Sequence, residues 1–204
     1  MTENKNIEMC NELLEESNLI EVYLTSRKIP FSKTNFTLLS IFSIFSLLFS
    51  IGITPKDLAE IIPIISTTLI GVILTVLGFL IAGYAIFCSV INHSLSIELY
   101  NSETKPYGFS QLKYSHLLFM RVFFYYLSYT FFLILIFFFS KTHLLTNFII
   151  KKLENIDLLF YLTNYLTFNI LFIGIIFLLL QLASFTFNIY HSVMTSICLN
   201  EINK

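Results

Sequence analysis

Charge is scarce in this sequence: only 12% of its 204 residues are Asp, Glu, Lys or Arg. A soluble domain carries about 25%. With a mean hydropathy of +0.78, the chain has too little polar surface to face water and requires lipid as its solvent. That excludes a soluble enzyme, a nucleic-acid-binding domain and a disordered linker. The formal net charge is −1, so no global field marks a charged partner, and no direct nucleic-acid binding is expected. Cysteine is also sparse. Cys10, Cys88 and Cys198 form an odd set without C-x-x-C spacing, which offers neither a disulfide framework nor a zinc site; unpaired thiols behaving as small apolar residues are expected. Motifs of catalysis are missing as well. There is no H-E-x-x-H, no G-x-S-x-G elbow, no P-loop and no G-x-G-x-x-G turn. The long apolar runs contain no Asp or Glu, where proton-coupled transporters and cation channels place carboxylates. The expectation is a non-enzyme with no catalytic residue, no cofactor and no metal.

What is present is apolar bulk, including 23 Phe and 11 Tyr. It falls into four runs, about 36–53, 61–91, 117–139 and 158–190. A helix crosses the hydrocarbon core in about 20 residues, so the first run is barely sufficient and the third fits. The second and fourth must tilt, kink or project. Backbone in lipid has to satisfy its own hydrogen bonds, and nothing alternates with the period of a membrane β-barrel. The predicted fold is therefore all-α: a polytopic integral membrane protein with four transmembrane helices in an up-down bundle, the second and fourth over-long. The predicted domains are a cytoplasmic N-terminal region, 1–33, a transmembrane domain, 34–190, and a short cytoplasmic tail, 191–204. The first run is not expected to be a cleaved signal peptide, because Ile51-Gly52-Ile53 offers no small-residue cleavage site. No lipidation motif is visible.

Four spans put both termini and the 92–116 loop on one side. That side carries Lys5, Arg27, Lys28, Lys33, Lys105, Lys113 and Lys204, with Arg121 just inside the third span; the other carries Lys56, Lys141, Lys151 and Lys152. The bias predicts that both termini are cytoplasmic. Thr54-Pro55-Lys56-Asp57 reads as a helix start, with Thr54 as N-cap, Pro55 in the first helical position and Asp57 reaching back. The turn between the first two spans is then very short, and they form an antiparallel hairpin. Pro63 is a candidate kink. Residues 101–108 read as a polar loop, and 141–157 as a helix lying at the outer interface.

Small residues recur along the second run at Thr68, Gly71, Thr75, Gly78, Ala82, Ala85 and Ser89. Nearly everything between them is large, Gly83 being the main exception. Alternating steps of three and four keep one stripe toward a partner along a left-handed crossing. In lipid, small residues matter because they let backbones approach closely. The stripe is a packing seam, either against other helices of the chain or against a second copy. The pattern continues through Asn92 and Ser96, implying a helix that projects beyond the membrane. Ser40, Ser43, Ser46 and Ser50 form a lesser stripe in the first run, read as packing on the second.

The fourth run holds Asn164, Thr167, Asn169, Gln181, Ser184 and Asn188; Gln181, Ser184 and Asn188 share a helical face. Interhelical hydrogen bonding and a pore or cavity lining are both open for them. Arg121 is the one charge inside a run, with Tyr125 and Ser128 on its face, and is expected to snorkel to phosphates. The N-terminus is acidic, with Glu3, Glu8, Glu12, Glu15, Glu16 and Glu21 against Lys5. Its apolar stripe of Ile7, Cys10, Leu13, Ile20 and Leu24 leaves Glu8, Glu12, Glu15 and Glu16 on the other face. Those carboxylates either lie on the ends of the bundle or dock a basic cytosolic protein.

Four spans, two of them over-long, an acidic N-terminal helix and the segment from Ser66-Thr67-Thr68 through Phe87 resemble the small membrane components of bacterial anti-phage systems. The membrane subunit of the Kiwa system and the multi-span accessory proteins of some RNA-targeting CRISPR effectors are of this type. The resemblance implies a homo-oligomeric inner-membrane protein that senses membrane perturbation and anchors a cytosolic effector, and it transfers no site residue. An oligomeric scaffold or sensor working through a cytosolic partner is the leading expectation. A pore-forming effector that depolarises the cell is the alternative, and a small-solute transporter the third.

Overall fold

The computed structural model describes residues 2–91, 93–142 and 156–202. It is an all-α polytopic bundle, with no strand among the described residues. The helices are α1 (Thr2–Leu13), α2 (Leu19–Ser26), α3 (Lys33–Ile51), α4 (Pro55–Val90), α5 (His93–Asn101), α6 (Gln111–Thr142) and α7 (Ile156–Ile202). Segments of α3, α4, α6 and α7 are long and apolar enough to cross a membrane. The 141–157 interfacial helix expected from sequence lies largely outside the described residues.

Local chemistry accounts for the ends of the helices. Only Gly52, Ile53 and Thr54 separate α3 from α4, giving the expected tight hairpin. The Asp57 N–H donates to the Thr54 hydroxyl oxygen at 3.3 Å, and that hydroxyl donates to the Asp57 carboxylate at 2.8 Å. The cap thus closes on itself, with α4 beginning at Pro55, whose missing N–H is no loss in a first turn. At 36 residues, α4 is about 54 Å long at about 1.5 Å per residue, well beyond a ~30 Å hydrocarbon core. It is continuous through Pro63. The Thr67 hydroxyl donates to the Pro63 carbonyl, one of several such bonds in that stretch.

Two features differ from the sequence expectation. The N-terminal stripe is broken into α1 and α2, because Asn18 caps α2 by accepting the Glu21 N–H at 3.0 Å while Glu21 accepts the Ser17 N–H at 2.8 Å. The projecting helix predicted past Ser89 instead stops at Val90, and a separate helix, α5, starts at His93. The 47-residue α7 is over-long as expected: it continues to Ile202 beyond a membrane-length segment of Leu158–His191.

The chain divides into two compact units. The first comprises Met1–Pro30, Phe79–Phe124 and Leu182–Lys204; the second comprises Phe31–Gly78 and Tyr125–Gln181. In the first, the α2 segment is held by a cluster of Ile29, Leu117 and Leu118, with Val22, Phe109 and Tyr114 packed around it. Phe119 is its aromatic hub: its ring lies 4.3 Å from Phe87 and 4.6 Å from Phe185, joining α4, α6 and α7. In the second, Tyr126 donates to the Leu178 carbonyl at 3.0 Å, and Leu133, Leu171 and Phe168 are buried.

Candidate functional site

All seven seam residues of α4 are exposed: Thr68, Gly71, Thr75, Gly78, Ala82, Ala85 and Ser89. A Cβ added at Gly71 or Gly78 meets nothing within 4 Å. Of the two partners open for this edge, the chain's own described helices do not cover it. The helix turns its large residues inward instead, burying Leu58, Ile62, Ile73, Leu77, Leu80 and Phe87. These recur with the same three-and-four spacing on the opposite side, because internal packing here rests on apolar volume and not on close backbone approach. Where α4 does meet α7 closely, the small residue is Gly83, the exception to the seam, whose Cβ would lie 4.0 Å from Ile189.

The exposed edge has a shape. Val72, Phe79 and Ile86 stand one position to one side of it, and Leu74 and Ile81 to the other; all are exposed. Small side chains form a floor between two rows of large ones. That groove is complementary to a helix, and most closely to a helix carrying the same pattern.

Of the serines of α3, Ser46 and Ser50 are buried, and their side chains hydrogen-bond to α7. Ser46 donates to the Asn169 side-chain oxygen at 2.6 Å, and the Asn169 amide donates to Ser50 at 2.9 Å and to the Tyr165 carbonyl at 2.8 Å. One amide satisfies two hydroxyls across a helix pair, as buried polar groups in lipid require. Ser40 and Ser43 instead bond back to Phe36 and Leu39 of their own helix.

Of the polar residues on α7, Gln181 is buried at 3% exposure, while Ser184 and Asn188 are half-buried. Tyr125 lies edge-on against Phe177 with ring centroids 5.0 Å apart. Arg121 does not snorkel. It is 8% exposed, and its Nη1 donates to the Ile29 carbonyl at 2.8 Å. No side-chain pattern points to that partner, a main-chain oxygen in the connection after α2.

The acidic set lies on the bundle. Lys113 of α6, 3% exposed, donates to the Glu12 carbonyl at 2.8 Å. It also forms ion pairs with Glu15 at 2.7 Å and Glu16 at 2.9 Å. Glu12 in turn accepts the Ser110 N–H at 3.0 Å, at the start of α6. Negative charge at a helix N-terminus is favourable, and the bond from Lys113 holds the Glu15 carboxyl below the usual glutamate range. Tyr100 of α5 is pushed the other way, by burial and by the charges of Glu12 and Glu8. Of the four carboxylates read as a docking surface, Glu8 and Glu15 are exposed and Glu12 and Glu16 half-buried. Three of them already bind this chain. What the N-terminal region does present outward is apolar: Ile7, Leu14, Leu19, Ile20 and Leu24 are all exposed.

The three cysteines are free and exposed, and no cluster of metal-ligating side chains occurs among the described residues. No family model matches the chain, and no match was found among curated proteins or solved structures.

Proposed function

We propose that this chain is a homo-oligomeric scaffold of the bacterial inner membrane, assembled through the outward edge of α4 and anchoring a cytosolic protein. One observation carries the reading: the close-packing edge of the longest-patterned span faces away from its own chain. Glycine, alanine and hydroxyl residues in lipid offer little contact area to acyl chains, whereas they give a second helix access to the backbone. With both termini cytoplasmic, as the distribution of Lys and Arg favours, α1, α2 and α5 lie where a soluble partner reaches them. The exposed Leu14, Leu19, Ile20 and Leu24, rimmed by Glu15 and Glu21, supply an apolar patch with an acidic border for that partner. The architectural resemblance to anti-phage membrane components adds antiviral defence as the setting. A scaffold is favoured over a pore because Ser46, Ser50 and Asn169 satisfy one another inside the chain.

The test is the mass of the assembly in mild detergent. Gly71→Leu combined with Gly78→Leu fills the groove from outside, where each added side chain meets open space within its own subunit. The folded double variant is expected to run as a smaller species than wild type. An unchanged assembly mass with native-like helicity refutes the seam as the contact.

A further inference from the structure

Within the first compact unit, α4, α6 and α7 enclose part of a cavity of about 150 Å³. Of the residues that line it, Leu80, Phe119 and Phe185 are buried. Tyr84, Met120 and Phe123 are half-buried and Ile81 is exposed, so the cavity opens on the side of Ile81. Packed protein interiors leave few voids larger than a water molecule, and here the walls are held apart. The Phe119 ring lies 4.3 Å from Phe87, 4.6 Å from Phe185 and 5.4 Å from Tyr84. Tyr84 is tied in turn by its hydroxyl, 3.1 Å from His116 Nδ1. Rings fixed in this way cannot close on the space without giving up those contacts.

Size and wall chemistry limit the occupant. An apolar cavity of about 150 Å³ stays dry and takes one benzene-sized molecule. Tyr84, Phe119, Phe123 and Phe185 present aromatic rings to it, and Met120 a thioether. Rings attract a further ring, edge-on or offset, beyond what buried area supplies, and thioether sulfur favours aromatic contacts too. A saturated chain gains neither. Tyr84 carries the one hydroxyl among the lining residues, and it is bonded to His116, so a polar substituent buried here would lack a partner. These stretches of α4, α6 and α7 lie in segments apolar enough to cross a membrane, and an occupant therefore arrives from lipid. Apolar transfer out of lipid supplies no drive, which leaves the ring contacts to decide what is held.

We propose that this cavity is a binding site for a compact, lipid-soluble aromatic hydrocarbon of a single ring. The site does not depend on the oligomeric reading, since every lining residue belongs to one unit of one chain.

The experiment is NMR of the full chain carrying ¹³C-methyl methionine, in phosphatidylglycerol nanodiscs. Benzene, cyclohexane and phenol are added at matched mole fractions in the lipid. Met120 lines the cavity, whereas Met194 is exposed and does not. Benzene is expected to shift the Met120 methyl along a saturating curve, while Met194 follows lipid loading linearly. Cyclohexane at equal mole fraction is expected to displace little of the benzene, and phenol to bind about tenfold more weakly. Leu80→Phe places a ring inside the cavity, and is expected to abolish the saturating shift while keeping wild-type helicity. If that variant does not fold, the wild-type curves with the three additives decide. A Met120 shift as linear as that of Met194 overturns the proposal. So does undiminished saturation in a folded Leu80→Phe protein, and so does phenol binding as tightly as benzene. Displacement of half the benzene by an equal fraction of cyclohexane overturns it as well, since that would mark an unspecific apolar void.

Discussion

Gly174→Ala is a one-carbon change with a calculable consequence. At this point of α7 the Tyr129 ring of α6 lies flat enough that an added Cβ would overlap its Cε2 and Cζ atoms. The ring is held there by its hydroxyl, which donates to the Leu171 carbonyl at 2.6 Å. A rigid overlap of that kind would be prohibitive, but the ring has somewhere to go. An open apolar cleft of about 370 Å³, lined by Leu39, Phe132, Ile170 and Phe177, adjoins it. The variant therefore relaxes by swinging the ring outward and losing the hydrogen bond. The loss is about 1 kcal/mol for the bond and about 1–2 kcal/mol for repacking, together roughly 2–3 kcal/mol. Reversible unfolding in mixed micelles with increasing SDS measures it. Tyr129→Phe alone is expected to cost about 1 kcal/mol, and the two changes together less than their sum, because the bond is lost only once. A neutral Gly174→Ala, or strict additivity in the cycle, would show that the ring does not rest on Gly174 and refute the reasoning.

Other perturbations follow from the same contacts. Asn169→Ala leaves Ser46 and Ser50 without their shared partner, and is expected to destabilise by roughly 1–2 kcal/mol in the same assay, since bonds of this kind in lipid are worth about 0.6 kcal/mol each and truncation adds a small cavity. Ala at position 164, where the amide bonds only to its own helix at Phe160, serves as the neutral comparison. The N-terminal region is predicted to loosen in acid. A carboxyl held low in the folded state stabilises above its unfolded pKa and loses that contribution as pH falls through the folded one; for Glu15 this places the release below about pH 4. Protease accessibility of residues 1–30, compared at neutral and acid pH, reads it directly. Lys113→Met should produce the loosening already at neutral pH, leaving Glu16 half-buried without its cation, and protection that is unchanged in that variant contradicts the assignment.

Much of this molecule was legible because it is local. The number of spans follows from run length against membrane thickness, and the start of α4 from Thr54, Pro55 and Asp57, whose roles depend only on neighbours in sequence. The break between α1 and α2 carried a local signal as well, the Asn18-x-x-Glu21 cap, which the apolar stripe across it obscured. The direction of the α4 seam was not legible. Small residues on one side and Leu58, Ile62, Ile73, Leu77 and Phe87 on the other repeat with the same period, so the pattern marks two edges without saying which faces inward. Nor was the partner of Asn169, because an amide in an apolar helix announces that it needs a bond but not with which helix. Arg121 was misread for a related reason. Its nearness to a helix end suggested an escape to the surface, while its real ligand is a backbone carbonyl 92 positions away, invisible to any side-chain pattern.

Cysteine cross-linking in native membranes tests the central claim most directly. Cys10, Cys88 and Cys198 are replaced by Ser, and single cysteines are placed at Gly71, Thr75, Gly78 or Ala82 on the edge, or at Leu135 of α6 or Leu166 of α7 on other exposed surface. Oxidation is expected to yield covalent dimers from the edge positions and little from Leu135 or Leu166. Dimers formed equally well from all of these positions, or none from the edge in protein that carries a reactive thiol there, would mean that this face of α4 meets only lipid.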